Sequence, residues 1–232
     1  MSRTTVVIPV RGLHGGKSRL STALDPAQRS AIIARMAVHV VDAVLESNVA
    51  HAIVLVSRER ELLSLLQLRQ PLITLVVQAD DSIGLNSAVD AGRQEAILGR
   101  SDRLLVLSAD LPLLEAADLA AMYANERDIV IAPDRFGTGT NAIMLQGKPA
   151  MSGFRFHFGP ESRSLHEMEA LRLGYAHSIV EAAGIALDLD TPADWDMLTP
   201  WRQGQLLSPL THACESAVGA IGLDPVAFLE RS

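Results

Sequence analysis

A single cysteine, Cys214, stands in the 232-residue chain. One thiol cannot close an internal disulfide, so the fold must be held by its core, and a reducing compartment is expected. Basic residues are in deficit: 20 Lys and Arg against 27 Asp and Glu give a formal charge of −7. That balance argues against a general nucleic-acid or anionic-membrane surface, which needs a basic face, while leaving room for a local basic pocket. No stretch approaches the roughly 18 apolar residues of a membrane span. The apolar run within Thr4–Val10 is too short for the core of a signal peptide, so a cytoplasmic location is expected. Also missing are a histidine pair at metal-ligand spacing, an internal repeat and a low-complexity segment. Ser162 lacks the second glycine of a nucleophile elbow. His39, on an apolar helix, reads as a packed residue rather than a ligand.

What the chain does have is 48% apolar residues, enough for a sizeable core. Short β-branched runs alternate with longer helical patterns. Strands are expected at Thr4–Val10, Ala52–Ser57, Leu72–Val77, Arg103–Ser108, Ile129–Ala132, Asn141–Leu145 and Ala186–Leu189. Helices are expected from Asp25-Pro26, an N-cap and first-turn proline, and near Glu59–Leu68, up to about Leu98, and at Glu115–Tyr123, Glu161–Leu173 and Pro192–Leu198. Repeated βα alternation implies an α/β fold with a mostly parallel sheet covered by helices on both faces. Ligands in such sheets bind beyond the carboxyl ends of the strands. Beyond Pro200 the weakly amphipathic segment Leu210–Ile221 carries no evident chemistry. The chain therefore divides into a domain over 1–199 and a helical extension over 200–232, packed on that domain or on a second subunit.

The first strand runs into Arg11-Gly-Leu-His-Gly-Gly-Lys-Ser-Arg19. Glycines let backbone N–H groups approach an anion, and Arg11, Lys17 and Arg19 supply charge, so the loop reads as a phosphate cradle or as a glycine-rich turn with solvated cations. It is not a P-loop, because Gly12 and Gly16 enclose three residues where that motif needs four. Asp110 ends the fourth strand and either binds Mg²⁺ or caps the next turn. Asp188 and Asp190, two apart, would share one face of a strand, or one of them could simply cap the helix that Thr191-Pro192 opens; Asp190, nearer the strand end, is favoured as the partner of Asp110 in a magnesium site. Asp81, Gly84 and Asn86 form a polar loop after the third strand. A carboxylate there could accept from a purine's amine and ring N–H, or the loop could simply cap the next helix. Gly137–Asn141 and Phe158–Ser162 are loops of small donors, suited to carboxylate or phosphate or else ordinary turns. His166 lies one helical turn beyond Ser162 and reads as a support for that loop.

Taken in order, these motifs resemble a family. Ile8-Pro-Val-Arg11 with Gly16-Lys-Ser-Arg-Leu20, Asp81–Asn86, Ser108–Leu113, Ala132-Pro-Asp-Arg135, Gly139-Thr-Asn141, Phe158–Ser162 with His166 and Leu187–Pro192 look like the 2-phospho-L-lactate guanylyltransferases, the CofC or FbiD family. Arg11 stands where lysine is common, which keeps the charge but changes its geometry. The resemblance implies a nucleotidyltransferase fold of the glycosyltransferase-A type, a Rossmann-like three-layer sandwich with a mostly parallel mixed sheet. It implies transfer of GMP from GTP to 2-phospho-L-lactate, phosphoenolpyruvate or 3-phosphoglycerate, release of pyrophosphate, Mg²⁺ as cofactor and a place in coenzyme F-420 synthesis. By position Lys17, Arg19 and Asp110 would be catalytic, and Asp110 and Asp190 would hold the metal. Thr140, Gly159 and Ser162 would hold the phospho-acid, and Arg11, Gly16, Lys17, Asp81, Gly84 and Asn86 the nucleotide. Another nucleotide or acceptor on the same fold, or a non-catalytic nucleotide-binding subunit, is the competing expectation. A homodimer is compatible with either.

Overall fold

A computed structural model of the chain describes residues 2–10, 12, 16–60, 72–78 and 84–208. Arg11, Asp81, most of the helix expected near Glu59–Leu68 and the segment Leu210–Ile221 lie outside the described residues. Seven strands are present among those described: β1 (Thr4–Pro9), β2 (Ala52–Ser57), β3 (Ile73–Val77), β4 (Arg103–Leu107), β5 (Ile129–Pro133), β6 (Thr140–Gln146) and β7 (His177–Ile179). They form one sheet in the order β3-β2-β1-β4-β6-β5-β7. Only β6 runs against its neighbours β4 and β5; the other pairings are parallel.

The helices are α1 (Pro26–Ser47), α2 (Leu85–Leu98), α3 (Ala116–Tyr123), α4 (Lys148–Gly153), α5 (Ser162–Leu173), α6 (Ala183–Ala186), α7 (Pro192–Asp196) and α8 (Pro200–Leu207), with a 3-10 turn at Ser18–Thr22. Strand periodicity distributes the core between two layers. Val6, Ile8, Leu105, Leu107, Val130, Ala132, Ala142 and Met144 pack on the side of α1, α3 and α6. Val7, Leu104, Val106, Ile129, Ile131, Ile143 and Leu145 pack on the side of α2, α4 and α5. A third cluster, with Leu20, Leu24, Met36, Leu187, Leu189, Trp195 and Leu206, roots the 3-10 turn, α7 and α8 on α1.

The expected strand at Ala186–Leu189 does not form. Ala186 closes α6, and Leu187–Asp190 has no regular secondary structure, with Leu187 extended and Leu189 N donating to Asp110 O at 3.1 Å. Leu187 and Leu189 are apolar because they fill the third cluster, which periodicity alone cannot tell from a sheet. The last strand is instead β7, three half-buried residues on the sheet edge with no apolar alternation to announce them.

α1 begins as its sequence dictates: Asp25 Oδ1 accepts from Gln28 N at 2.8 Å, Gln28 Oε1 accepts from Asp25 N at 2.9 Å, and Pro26 occupies the first turn. α8 lies on α1, where Arg202 donates to His39 Nε2 at 2.7 Å and to Pro112 O at 2.6 Å. Burial, and then the Arg202 charge, push His39 down to about 4, so it is a neutral packed residue.

Candidate active site

Gly16 and Lys17, the ends of β4 and β5, the start of β6 and the Leu187–Asp190 segment gather at the carboxyl edge of the parallel strands. Gly16 is required there by space: a Cβ would lie 2.4 Å from Gly12 O and 2.7 Å from Ile33 Cδ1. Lys17 follows in a left-handed conformation, φ 53°, which turns its chain toward the acidic residues. Its ammonium donates to Asp110 and, at 2.6 Å, to Asp190 Oδ1. Burial works against that ammonium, but Asp110 and Asp190 outweigh it and hold Lys17 above the ordinary lysine value. Burial likewise opposes ionisation of Asp110, and the Lys17 charge overcomes it, so Asp110 sits below the usual carboxylate range.

Asp188 completes an acidic trio. Burial, then repulsion from Asp110 and Asp190, push its carboxyl up to about 6. Three carboxylates with one lysine leave an excess of negative charge, and the buried Oδ1 of Asp110 accepts no hydrogen bond among the described residues. Hard oxygen donors in electrostatic deficit fit a divalent cation. No three His, Cys, Asp or Glu side chains among the described residues form a complete ligand set.

Two side chains with no individual role in the sequence analysis, Asp194 and Asn141, hold this cluster. Asp194 Oδ2 accepts from Asp190 N at 3.0 Å, Thr191 N at 2.6 Å and Thr191 Oγ1 at 2.8 Å, while Oδ1 pairs with Arg135. The Thr191–Asp194 spacing is a capping box, so the helix start at Thr-Pro was its visible signal. Asn141 Nδ2 donates to Ile185 O at 2.9 Å, to Ala186 O at 3.3 Å and to Asp188 Oδ1 at 3.4 Å.

A bulge reverses the layers that Thr140 and Asn141 face. Ala132 pairs with Ala142 and Pro133 with Thr140, leaving Asn141 as the extra residue. Unbroken alternation would put Thr140 beside Ala142 and Met144. Instead its hydroxyl meets His166 Nδ1 on α5 at 3.0 Å, and Asn141 turns to α6. Ser162, 2% exposed, opens α5, and Gly159 before it adopts φ 140°, a region that favours glycine. Asn86 grips this loop, accepting from Phe158 N at 2.8 Å and donating to Phe158 O at 3.1 Å. Its side-chain amide is thus engaged with the backbone of Phe158. Gly84 caps α2 at φ 112°, and Arg19 is exposed on the 3-10 turn, outside the Lys17–Asp110–Asp190 contacts.

Residues 4–200 match the family described as guanylyl transferase CofC like. The chain belongs to this family. A CofC-like chain is a nucleotidyltransferase enzyme, one that moves a guanylyl group. A phosphoenolpyruvate guanylyltransferase of Rubrobacter xylanophilus is 38% identical over 196 residues, covering 81% of this chain and 89% of the relative. A 2-phospho-L-lactate guanylyltransferase of Methanothermobacter thermautotrophicus is 28% identical over 92% of this chain and 89% of its own length. Among solved structures, a 4-diphosphocytidyl-2C-methyl-D-erythritol synthase of Anaerococcus prevotii superposes with a TM-score of 0.61 at 12% identity, covering 87% of this chain and 99% of that one. That likeness places the CofC-like sheet among α/β nucleotidyltransferase folds. No helix among the described residues is long and apolar enough to cross a membrane.

Proposed function

We propose that the chain transfers GMP from GTP to a small phosphorylated acid and releases pyrophosphate, with phosphoenolpyruvate the first acceptor to test. The observation that carries this reading is the Lys17–Asp110–Asp190 arrangement at the carboxyl edge, with the Thr140 and Ser162 hydroxyls on the neighbouring strand and helix. The name carried by the Rubrobacter relative favours phosphoenolpyruvate; others are named for 2-phospho-L-lactate and 3-phospho-D-glycerate, and all three acids carry both a phosphate and a carboxylate. A place in coenzyme F-420 synthesis belongs to the same reading.

A phosphate oxygen of the acceptor attacks the α-phosphorus of GTP, a new P–O bond forms, and the bond to the bridging β-oxygen breaks. Phosphate monoesters have a second pKa near 6, so at pH 7 the attacking group is already ionised and needs no base. The buried, neutral His166 fits that economy. The remaining obstacle is repulsion between anions. A divalent cation held by Asp110 and Asp190, when bound, supplies Lewis-acid neutralisation of the triphosphate. Lys17 adds charge from the glycine-rich loop, Gly16 lets the backbone come close, and Arg19 stands at the open rim. Gly159, Ser162 and Thr140 hold the acceptor's anionic groups; Arg11, Gly84 and Asp81 belong to the nucleotide side, and Asn86 fixes the loop between the two. Residues 1–199 are read as the enzyme domain, and 200–232 as an extension that begins with α8 against α1.

The test is pyrophosphate release from purified protein with Mg²⁺, each nucleoside triphosphate and each phospho-acid. Release with GTP and a phospho-acid, and not with CTP or ATP, is the expected result. Release with CTP or ATP alone would overturn the guanylyl assignment for this chain.

A further inference from the structure

His166 is fully buried. Its ring lies 4.9 Å from Phe158, 5.8 Å from Phe154 and 6.5 Å from Phe156, centroid to centroid, which leaves little room to turn. Both ring nitrogens are engaged. The backbone N–H of His157 lies 2.9 Å from Nε2, and an amide N–H can only donate. Nε2 is therefore the acceptor nitrogen, and the ring proton resides on Nδ1. That proton points at Thr140 Oγ1, 3.0 Å away. Thr140 thus gives up a lone pair to His166 and keeps its own hydroxyl proton for another partner. An ionised carboxylate or phosphate oxygen is an acceptor only.

We propose that His166 is a positioning residue: locked as the Nδ1–H tautomer by the His157 amide, it makes Thr140 present its hydroxyl proton to an anionic oxygen of the acceptor. This rests on the reading of Thr140, Gly159 and Ser162 as the acceptor corner. Burial, with His157 adding repulsion, holds the ring at about 3, so the neutral tautomer persists at working pH; Glu169, the other charged neighbour, opposes that shift without reversing it. The Nδ1–H···Oγ1 bond converts an ambivalent hydroxyl into a donor of fixed direction, which favours the oxyanion over a hydroxyl or ammonium at the same place.

The test is a double-mutant cycle on acceptor KM, with GTP KM, kcat and the melting temperature followed in parallel. Thr140→Val is expected to raise acceptor KM by about 10- to 100-fold, the worth of a hydrogen bond to a charged group, and to leave GTP KM within about twofold. His166→Phe should raise acceptor KM similarly in the wild-type background and have no further effect beside Thr140→Val. Multiplying effects would overturn the proposal, since His166 would then act without Thr140. No effect of Thr140→Val on acceptor KM would instead sink the acceptor-corner reading itself. Nitrogen-15 shifts of the His166 ring in the wild-type chain need no variant to fold. A protonated Nδ1 and bare Nε2 are expected at pH 7, and the reverse would overturn the proposal, because Thr140 would then spend its proton on the ring.

Discussion

At the Lys17 corner three aspartates and one lysine meet at the open edge of the sheet, Asp190 nearly half exposed, and charge sets every interaction. At the Thr140 corner a neutral histidine sits among three phenylalanines with no exposure, and direction rather than charge is what the groups share. Under the proposed function, the first corner would handle the anions of a triphosphate and its cation, and the second would orient an acceptor. A site that joins two anions needs both kinds of construction, one that lowers repulsion and one that aims without adding net charge of its own.

If that contrast is right, damage to the two corners must differ in kind. The largest effect is expected for Asp110→Asn, which keeps size but removes a cation-binding charge. Turnover should fall by about 1,000-fold or more, with the circular dichroism spectrum retained. Normal turnover at limiting Mg²⁺ would show that Asp110 is no ligand. Lys17→Met should cost about 100-fold in turnover and also lower the melting temperature without divalent cation, because Asp110 and Asp190 lose their counter-charge. Added Mg²⁺ should return part of that temperature loss and none of the turnover. An unchanged melting temperature in metal-free buffer would mean the ion pairs contribute nothing.

Acid separates the corners by sign. His166 titrates at about 3 in the folded chain against 6.5 unfolded, so between those values the unfolded state holds more protons. Its stabilisation is whole above pH 6.5 and declines on acidification, by roughly 2 kcal/mol at pH 5. Asp188 is raised from 3.8 to about 6, so its folded state binds the proton first, and its contribution is lost as pH rises through 6. Without divalent cation, His166→Phe should flatten the loss of stability from pH 7 to 5, and Asp188→Asn should stabilise the chain more at pH 8 than at pH 5. Denaturant midpoints at those pH values read both; slopes of the same sign would erase the contrast. The smallest effect is expected for Asp194→Asn. It weakens the grip on Asp190 and the pair with Arg135, and should cost about 1 kcal/mol of stability and up to about tenfold in turnover at limiting Mg²⁺.

The contrast also explains what was legible in the sequence. The charged corner announced itself, because Gly16-Lys17, Asp110 and Asp188–Asp190 each follow or adjoin a strong apolar segment at the sheet's carboxyl edge. Strands β1 to β6 were equally plain, since buried β-branched runs alternate with helical spacing. The residues of the Thr140 corner show in sequence as loops of small donors with His166 as a support, and the acceptor role comes only from the family resemblance. Its geometry depends on a one-residue bulge at Asn141 that reverses which layer Thr140 faces, and a bulge leaves no periodic trace. Leu187 and Leu189 misled because burial in the third cluster mimics burial in a sheet, and β7 escaped because its residues are half-buried on an edge. Asp194 has no individual role in the sequence, because its grip on Asp190 depends on the capping box that only the folded chain closes.

The most direct test of this division of labour crosses the two dependences. Acceptor KM and the Mg²⁺ concentration for half-maximal turnover should be measured in Thr140→Val and Asp190→Asn. The account requires Thr140→Val to raise acceptor KM with the Mg²⁺ dependence unchanged, and Asp190→Asn to raise the Mg²⁺ requirement with acceptor KM within about twofold. Both variants shifting both quantities together would contradict it, and would mean that the edge of the sheet holds one undivided site.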